Sequence, residues 1–272
     1  MTAGTGWTND AAIQRWGAMP RAVLDGMEPD GDWAKRHLLN PVLLRVLGDV
    51  RGRRVLDAGS GGGERERTTS ARSDLAAAAP GWDERRGGHG YFSRMLAAHG
   101  AEVVGVEPAR VLLDYAVEKE VQRRQGIRYV QADLCRLPDL GGPFDAVLAN
   151  MVLPAIPDWA QAMQACVEAL SPDGVFVFSV NHPCFEQLWP SWREHGEFRA
   201  REYLEEYEIV GPHASDFHRT LSTYLNQLLR LGCHLREIAE PGLDPAVAAA
   251  GPAGIDAYVH LPNCLVVAAQ RG

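Results

Sequence analysis

Apolar and polar positions along this 272-residue chain fall into three regimes. Over residues 1–50 apolar side chains recur at spacings of three and four, which predicts amphipathic helices over Ala11–Met19 and Asp32–Leu47, with Asp32 capping the second ahead of Trp33. From Arg54 to Val180 short apolar runs alternate with helix-period segments. Arg54–Ala58, Ala101–Val106, Ile127–Gln131, Phe144–Ala149 and Val175–Val180 read as strands, and Tyr91–His99, Val111–Arg124 and Trp159–Leu170 as helices between them. Such alternation implies right-handed crossovers and a parallel sheet, and the lack of polar alternation within the strands implies helices on both faces. Residues 181–217 mix aromatic and charged side chains with no obvious parallel strand. A helix over Thr220–Leu231 and two late strands, His234–Ile238 and Asn263–Gln270, complete the pattern. The expected organisation is an N-terminal helical cap (1–50), a core (51–180), and a substrate cap with the last helix and C-terminal strands (181–272).

Composition narrows the function classes. No apolar run approaches the roughly 20 residues of a membrane span. The opening residues are neither basic nor apolar, so no secretory signal is expected. Five cysteines without a CxxC pair read as free thiols of a reducing, cytoplasmic compartment, with no metal site. A net charge of −8 without a long basic stripe argues against nucleic acid or an anionic membrane as partner. Among 27 basic residues only Lys35 and Lys119 are lysines.

Chemistry concentrates where strands end. Val55–Gly63 reads VLDAGSGGG, a strand running into glycines that let a ligand approach the backbone. Glu107 closes the second strand, where a carboxylate can accept both hydroxyls of a ribose. Asp133 follows the third strand, where a carboxylate can accept from an adenine amino group. Together these mark the carboxyl edge of a nucleotide-binding sheet.

At this point the chain resembles the class I S-adenosylmethionine-dependent methyltransferases, in a bacterial small-molecule subgroup. The residues that carry the resemblance are VLDAGSGGG (55–63), YFSRMLAAHGAEVVGVEP (91–108), QADL (131–134), FDAVLANMVL (144–153) and LSPDGVFVFSV (170–180), in the family's order over about half the chain. HPCF (182–185) and residues 218–232 resemble the subgroup. A nicotinamide-binding sheet fits less well, because Asp57 stands just before the glycines. The resemblance implies an α/β fold with a doubly wound, mostly parallel seven-stranded sheet, and S-adenosylmethionine as cofactor. It places Gly59 and Gly61 beneath the methionine portion and Asp57 near its ammonium. Glu107 then binds the ribose, Pro108 or Ala109 flanks the adenine, Asp133 meets its amino group and Leu134 packs on the ring. Asn150 sits where the family turns backbone carbonyls toward the ammonium.

One departure stands out. Asp57 and Glu107 lie 50 positions apart, and removing the 27 residues 64–90 brings GSGGG directly before YFSRML. The segment reads as an insertion in the cofactor loop, with three outcomes open: a tolerated surface excursion, a lid over the site, or a loop too disrupted to bind cofactor.

Methyl transfer to oxygen needs a base, and histidine suits the task. His182 after the fifth strand and His218 at the start of the late helix are the candidates. Tyr207 joins them, sharing a face with Tyr203 if that stretch is helical. Trp16 and Trp33 are placed to close the pocket from above. The expected activity is methylation, preferentially at oxygen, of a small aromatic or polycyclic metabolite; a homodimer is an open possibility. The alternatives are a non-methylating rearrangement or cyclisation on the same fold, or a cofactor-impaired relic.

Overall fold

A computed structural model describes residues 7–26, 31–60, 90–200, 202–211 and 214–272. In chain order the strands are β1 (Arg54–Ala58), β2 (Glu102–Val106), β3 (Arg128–Val130), β4 (Phe144–Asn150), β5 (Leu170–Asn181), β6 (Tyr207–Val210), β7 (Ser215–His218), β8 (Cys233–Ala239) and β9 (Cys264–Arg271). The helices are α1 (Asn9–Gly17), α2 (Arg21–Asp25), α3 (Asn40–Leu47), α4 (Tyr91–Ala98), α5 (Arg110–Gln122), α6 (Trp159–Glu168), α7 (Leu188–His195), α8 (Leu221–Arg230), α9 (Pro245–Ala249) and α10 (Ala257–His260). A wider, π-type turn over Lys35–Leu39 precedes α3.

Seven strands form one sheet in the order β3-β2-β1-β4-β5-β9-β8. Strands β1 to β5 are parallel, and β9 runs antiparallel between β5 and β8. Their side chains feed two apolar cores, one per face. The first holds Leu56, Val104, Val147, Met163, Phe176 and Tyr224; the second holds Leu43, Val55, Phe92, Leu148, Val177 and Val266. Neighbouring residues of one strand thus serve opposite cores, which is why these strands show no polar alternation. The order reverses between β1 and β4, and the crevice this leaves at the carboxyl edge is where doubly wound sheets bind ligands. No helix among the described residues is long and apolar enough to cross a membrane.

The structure differs from the pattern reading in three places. The Ser171–Gly174 turn is absorbed into β5 as an irregularity: Phe144 pairs with Leu170 but Ala146 with Val175, and Asp173 takes a positive φ of 63°. Tyr203 and Tyr207 share no helix, because Tyr207 opens β6, which pairs with β7 in a separate antiparallel hairpin. His218 closes β7 rather than opening a helix; α8 begins at Leu221 behind Thr220, whose hydroxyl caps the Thr223 N–H.

The described residues flanking the excursion settle how the chain rejoins the sheet. The Gly90 N–H donates to the Ser60 carbonyl at 2.7 Å, and α4 starts at the next residue. The first turn of α4 therefore still stands against the end of β1, although 29 residues intervene between Ser60 and Gly90. Residues 61–89, and with them Gly61 and the lid reading, lie outside the described residues.

Candidate functional site

Gly59 follows β1 with φ +78°, and a Cβ there would meet Val152 Cγ2 at 2.5 Å. Only glycine permits both this backbone and this approach of the β4 tip. Its N–H and that of Ser60 both donate to the Val106 carbonyl at 2.9 Å, tying the loop to the end of β2. Glu107, next along, is buried, and its Oε1 accepts the Ala109 N–H at 2.8 Å, which fixes the carboxylate at the head of α5. Asp133 caps a short turn over Leu134–Arg136, its Oδ1 accepting the Cys135 N–H at 2.9 Å.

These residues wall one cavity. Gly59, Glu107, Pro108, Asp133 and Leu134 line a cleft together with Val152, Ala155 and Ile156 and with Asn9, Ala12, Ile13 and Trp16 of α1. Helix α1 fully buries none of its own side chains; Trp16 packs on the cluster of Met19, Leu24, Leu112 and Tyr115, and polar contacts add to this. Asn9 Nδ2 donates to both oxygens of Asp133 at 3.0 and 3.1 Å, and Arg15 donates to Glu208 at 2.9 Å and to Ser215 on the hairpin. Nothing in the sequence signalled Asn9.

Asp57 lies beneath the loop, buried, and accepts a hydrogen bond from the Ser93 hydroxyl of α4. Burial pushes its carboxyl up to about 6, against the opposing effect of the Ser93 bond. Asn150 ends β4 inside a chain of side chains: Asn150 Nδ2 donates to Tyr91 Oη at 3.1 Å, Tyr91 to Asn40 Oδ1 at 3.1 Å, and Ser179 Oγ to Asn150 Oδ1 at 2.8 Å. Trp16 covers the cleft, as expected, but Trp33 lines a second cavity beside Met151, Lys35 and Trp189.

The three catalytic candidates stand apart from both cavities. His182 is buried with both ring nitrogens engaged, Nδ1 accepting the Cys184 N–H at 3.2 Å and Nε2 within 2.7 Å of Glu240. That arrangement anchors the turn after β5. Tyr207 stacks on His218 at 4.7 Å between ring centroids, 16° from parallel. Both line a polar cavity between α7 and the hairpin, with Glu186 and Tyr203. His218 Nε2 bonds the Tyr203 carbonyl at 2.9 Å and Nδ1 stands 3.9 Å from Glu186. Burial lowers the affinity of His218 for a proton, but Glu186 and the Tyr203 carbonyl together outweigh it, so the net shift is upward. The sequence reading thus brings His218 and Tyr207 together, but away from the cleft.

A family model described as "Methyltransferase domain" matches residues 87–178. A ubiquinone biosynthesis O-methyltransferase of Alkalilimnicola ehrlichii is 29% identical over 175 residues, covering 62% of this chain and 56% of that protein. One of Coxiella burnetii is 28% identical over 158 residues. The chain thus spans little more than half the length of these relatives. Among solved structures, an S-adenosylmethionine-dependent methyltransferase of Mesorhizobium loti superposes with a TM-score of 0.67 at 27% identity, over 90% of this chain and 100% of that one. The N-methyltransferase NodS of Bradyrhizobium japonicum, bound to S-adenosylhomocysteine, shares the fold at 15% identity and a TM-score of 0.53, over 97% and 99% of the two chains. By sheet order, carboxyl-edge cleft and the matched methyltransferase domain, the chain has the fold of the class I S-adenosylmethionine-dependent methyltransferases and is similar to them.

S-adenosylmethionine is the cofactor of that family, and the residues present fit it. Gly59 keeps the backbone bare where the loop leaves β1, a buried carboxylate stands at the end of β2, and a half-buried one stands after β3, all on one cavity. The helix that follows the loop keeps its place through the Ser60–Gly90 bond.

Proposed function

We propose that this protein transfers the methyl group of S-adenosylmethionine to a small molecule, at oxygen in preference to nitrogen or carbon. The observation that carries the reading is the single cleft on which Gly59, Glu107 and Asp133 converge from the tips of β1, β2 and β3. The cofactor, when bound, brings an electrophilic methyl carbon on a sulfonium. The chain's own part is then to hold, orient and keep water out. Glu107 would accept the ribose hydroxyls, Asp133 the adenine amino group, and Pro108 and Leu134 would flank the ring. Asp57 beneath Gly59 would face the ammonium, and Lys35, whose ammonium stands 5.9 Å from the centre of the Tyr91 ring at the start of α4, would meet the methionine carboxylate.

Oxygen is favoured by the relatives, which are named as O-methyltransferases. We do not assign a base to His182 or His218, because neither lines the cleft or the cavity beside Met151. Calorimetry with S-adenosylhomocysteine tests the reading. Glu107→Ala is expected to weaken binding about tenfold or more, the cost of losing hydrogen bonds to a buried carboxylate. Unchanged affinity would sink the assignment. Product mass separates transfer, which adds a methylene, from a cyclisation or rearrangement, which yields an isomer.

A further inference from the structure

Helix α1 takes both space and hydrogen-bond partners from the cleft it lines. With Asn9, Ala12, Ile13 and Trp16 in place, the described walls leave a free volume of about 50 Å³. A cavity that admits one benzene-sized ring is about 150 Å³, so an adenine ring has no room beside α1. Asn9 is the sharper obstacle. Its Nδ2 straddles the Asp133 carboxylate, 3.0 Å from Oδ1 and 3.1 Å from Oδ2, and stands 3.1 Å from Cys135 Sγ. Oδ1 also accepts the Cys135 N–H at 2.9 Å. A carboxylate offers about four lone-pair positions, and these bonds occupy most of them. Asn9 presents an amino group on a planar carbon, which is also what the edge of adenine presents. Both are donors of the same kind for the same two oxygens.

The other attachments of α1 break at low cost. The helix is nine residues long and fully buries none of its side chains. Arg15 reaches Glu208 on the hairpin, but the two side chains are 44% and 25% exposed, and pairs of that kind contribute little. Trp7, ahead of the helix, lies against Phe217 of β7 at 4.6 Å between ring centroids, and Trp16 packs beside Leu112. The bonds of Asn9 to a half-buried carboxylate are charge-assisted and stronger than the exposed pair. Elements with so few buried contacts open locally while the rest of the fold stays intact.

We propose that Asn9 is a built-in competitor of the cofactor: it holds the Asp133 carboxylate against the adenine amino group, and S-adenosylmethionine enters only when α1 lifts away. The proposal rests on the methyl-transfer reading for the identity of the rival ligand; the contact of Asn9 with Asp133 and the narrowness of the cleft stand by themselves. The apparent cofactor affinity is then the intrinsic one reduced by the fraction of molecules with α1 lifted. The helix sets the concentration at which the protein loads.

The test is calorimetric titration of S-adenosylhomocysteine. Asn9→Ala frees the carboxylate and is expected to bind about three- to tenfold more tightly than wild type. Loss of a contact that merely supports the site would weaken binding, so the direction is diagnostic. In an Asp133→Ala background nothing is left to compete for, and Asn9→Ala is expected to add no gain. Asn9→Cys brings a thiol toward Cys135. After oxidation with diamide it is expected to form a disulfide that holds α1 down, seen as the loss of two hydrogens by mass. The cross-linked protein is expected to lose binding and to regain it on reduction. Equal or weaker binding in Asn9→Ala overturns the competition, as does an undiminished gain in the Asp133→Ala background. Wild-type affinity in the cross-linked protein overturns the need for α1 to lift. If wild type fails to bind S-adenosylhomocysteine, the methyl-transfer reading falls. The disulfide still decides whether residue 9 lies against the Asp133 turn, and its failure to form overturns that contact.

Discussion

Asp57 is a carboxylate that burial makes reluctant to ionise, with its carboxyl raised from 3.8 to about 6. The folded protein therefore holds a proton that the unfolded chain releases between about pH 4 and pH 6. Stability from this group is complete below pH 4 and declines as pH rises through 6, by about 3 kcal/mol for a shift of this size. Asp57→Asn is expected to flatten that decline in the unfolding free energy measured by urea titration from pH 4 to pH 7. An equally steep decline in the variant assigns it to another group. Gly59 carries a different constraint. Gly59→Ala combines a positive φ with a contact to Val152 far inside van der Waals distance, and is expected to cost about 2–4 kcal/mol by the same measurement. Glu107, Asp133 and Gly59 were legible in the sequence because each stands directly after a strand, so strand prediction alone puts them on one edge. The cavity beside Met151 was not legible. Lys35, Met151, Trp189 and Ile255 come from four distant stretches with no shared motif, and only the scarcity of lysine, with Lys35 one of two, drew attention to any of them.

At the scale of elements, the five parallel strands could be read from apolar runs because both faces of each strand are covered, leaving uninterrupted hydrophobic stretches. The β6–β7 hairpin escaped for the converse reason. Its strands are four residues each and pair only with each other, so although Ile209 and Phe217 are buried the stretches are too short to show a period. Helix α1 had a readable period, and Trp16 packs on the Met19, Leu24 and Leu112 cluster, but its further contacts, Asn9 to Asp133 and Arg15 to the hairpin, are polar ones that no hydrophobic pattern encodes. The junction of β1 and α4 yields the sharpest expectation at this scale. Since Ser60 and Gly90 are already hydrogen-bonded, the intervening chain spans almost no distance. Deleting residues 64–89 and keeping Gly61, Gly62 and Gly63 as the link is expected to preserve the fold and S-adenosylhomocysteine binding. It should stabilise the protein by up to about 2 kcal/mol from the shorter loop closure, seen as a higher urea midpoint. Loss of cofactor binding in a folded deletion variant would show that the excursion itself contributes to the site.

Across the whole molecule, each level of the chain places ligands on the same edge. The alternation of strands and helices sets the reversal between β1 and β4, the reversal opens the crevice, and the N-terminal and C-terminal segments close it from opposite sides. The closure by Ser60 and Gly90 also has a kinetic consequence. Without the excursion the meeting of β1 and α4 is a local contact; with it, the same contact joins residues 30 positions apart, and loop-closure entropy must be overcome before the packing of α4 on β1 can offset it. If that packing forms early, the deletion variant will refold faster than the full chain while unfolding at a similar rate, a difference stopped-flow fluorescence can read. A faster unfolding rate in place of faster refolding would put the contact late. The sheet would then assemble first from β4, β5 and β9, whose pairing owes nothing to the excursion.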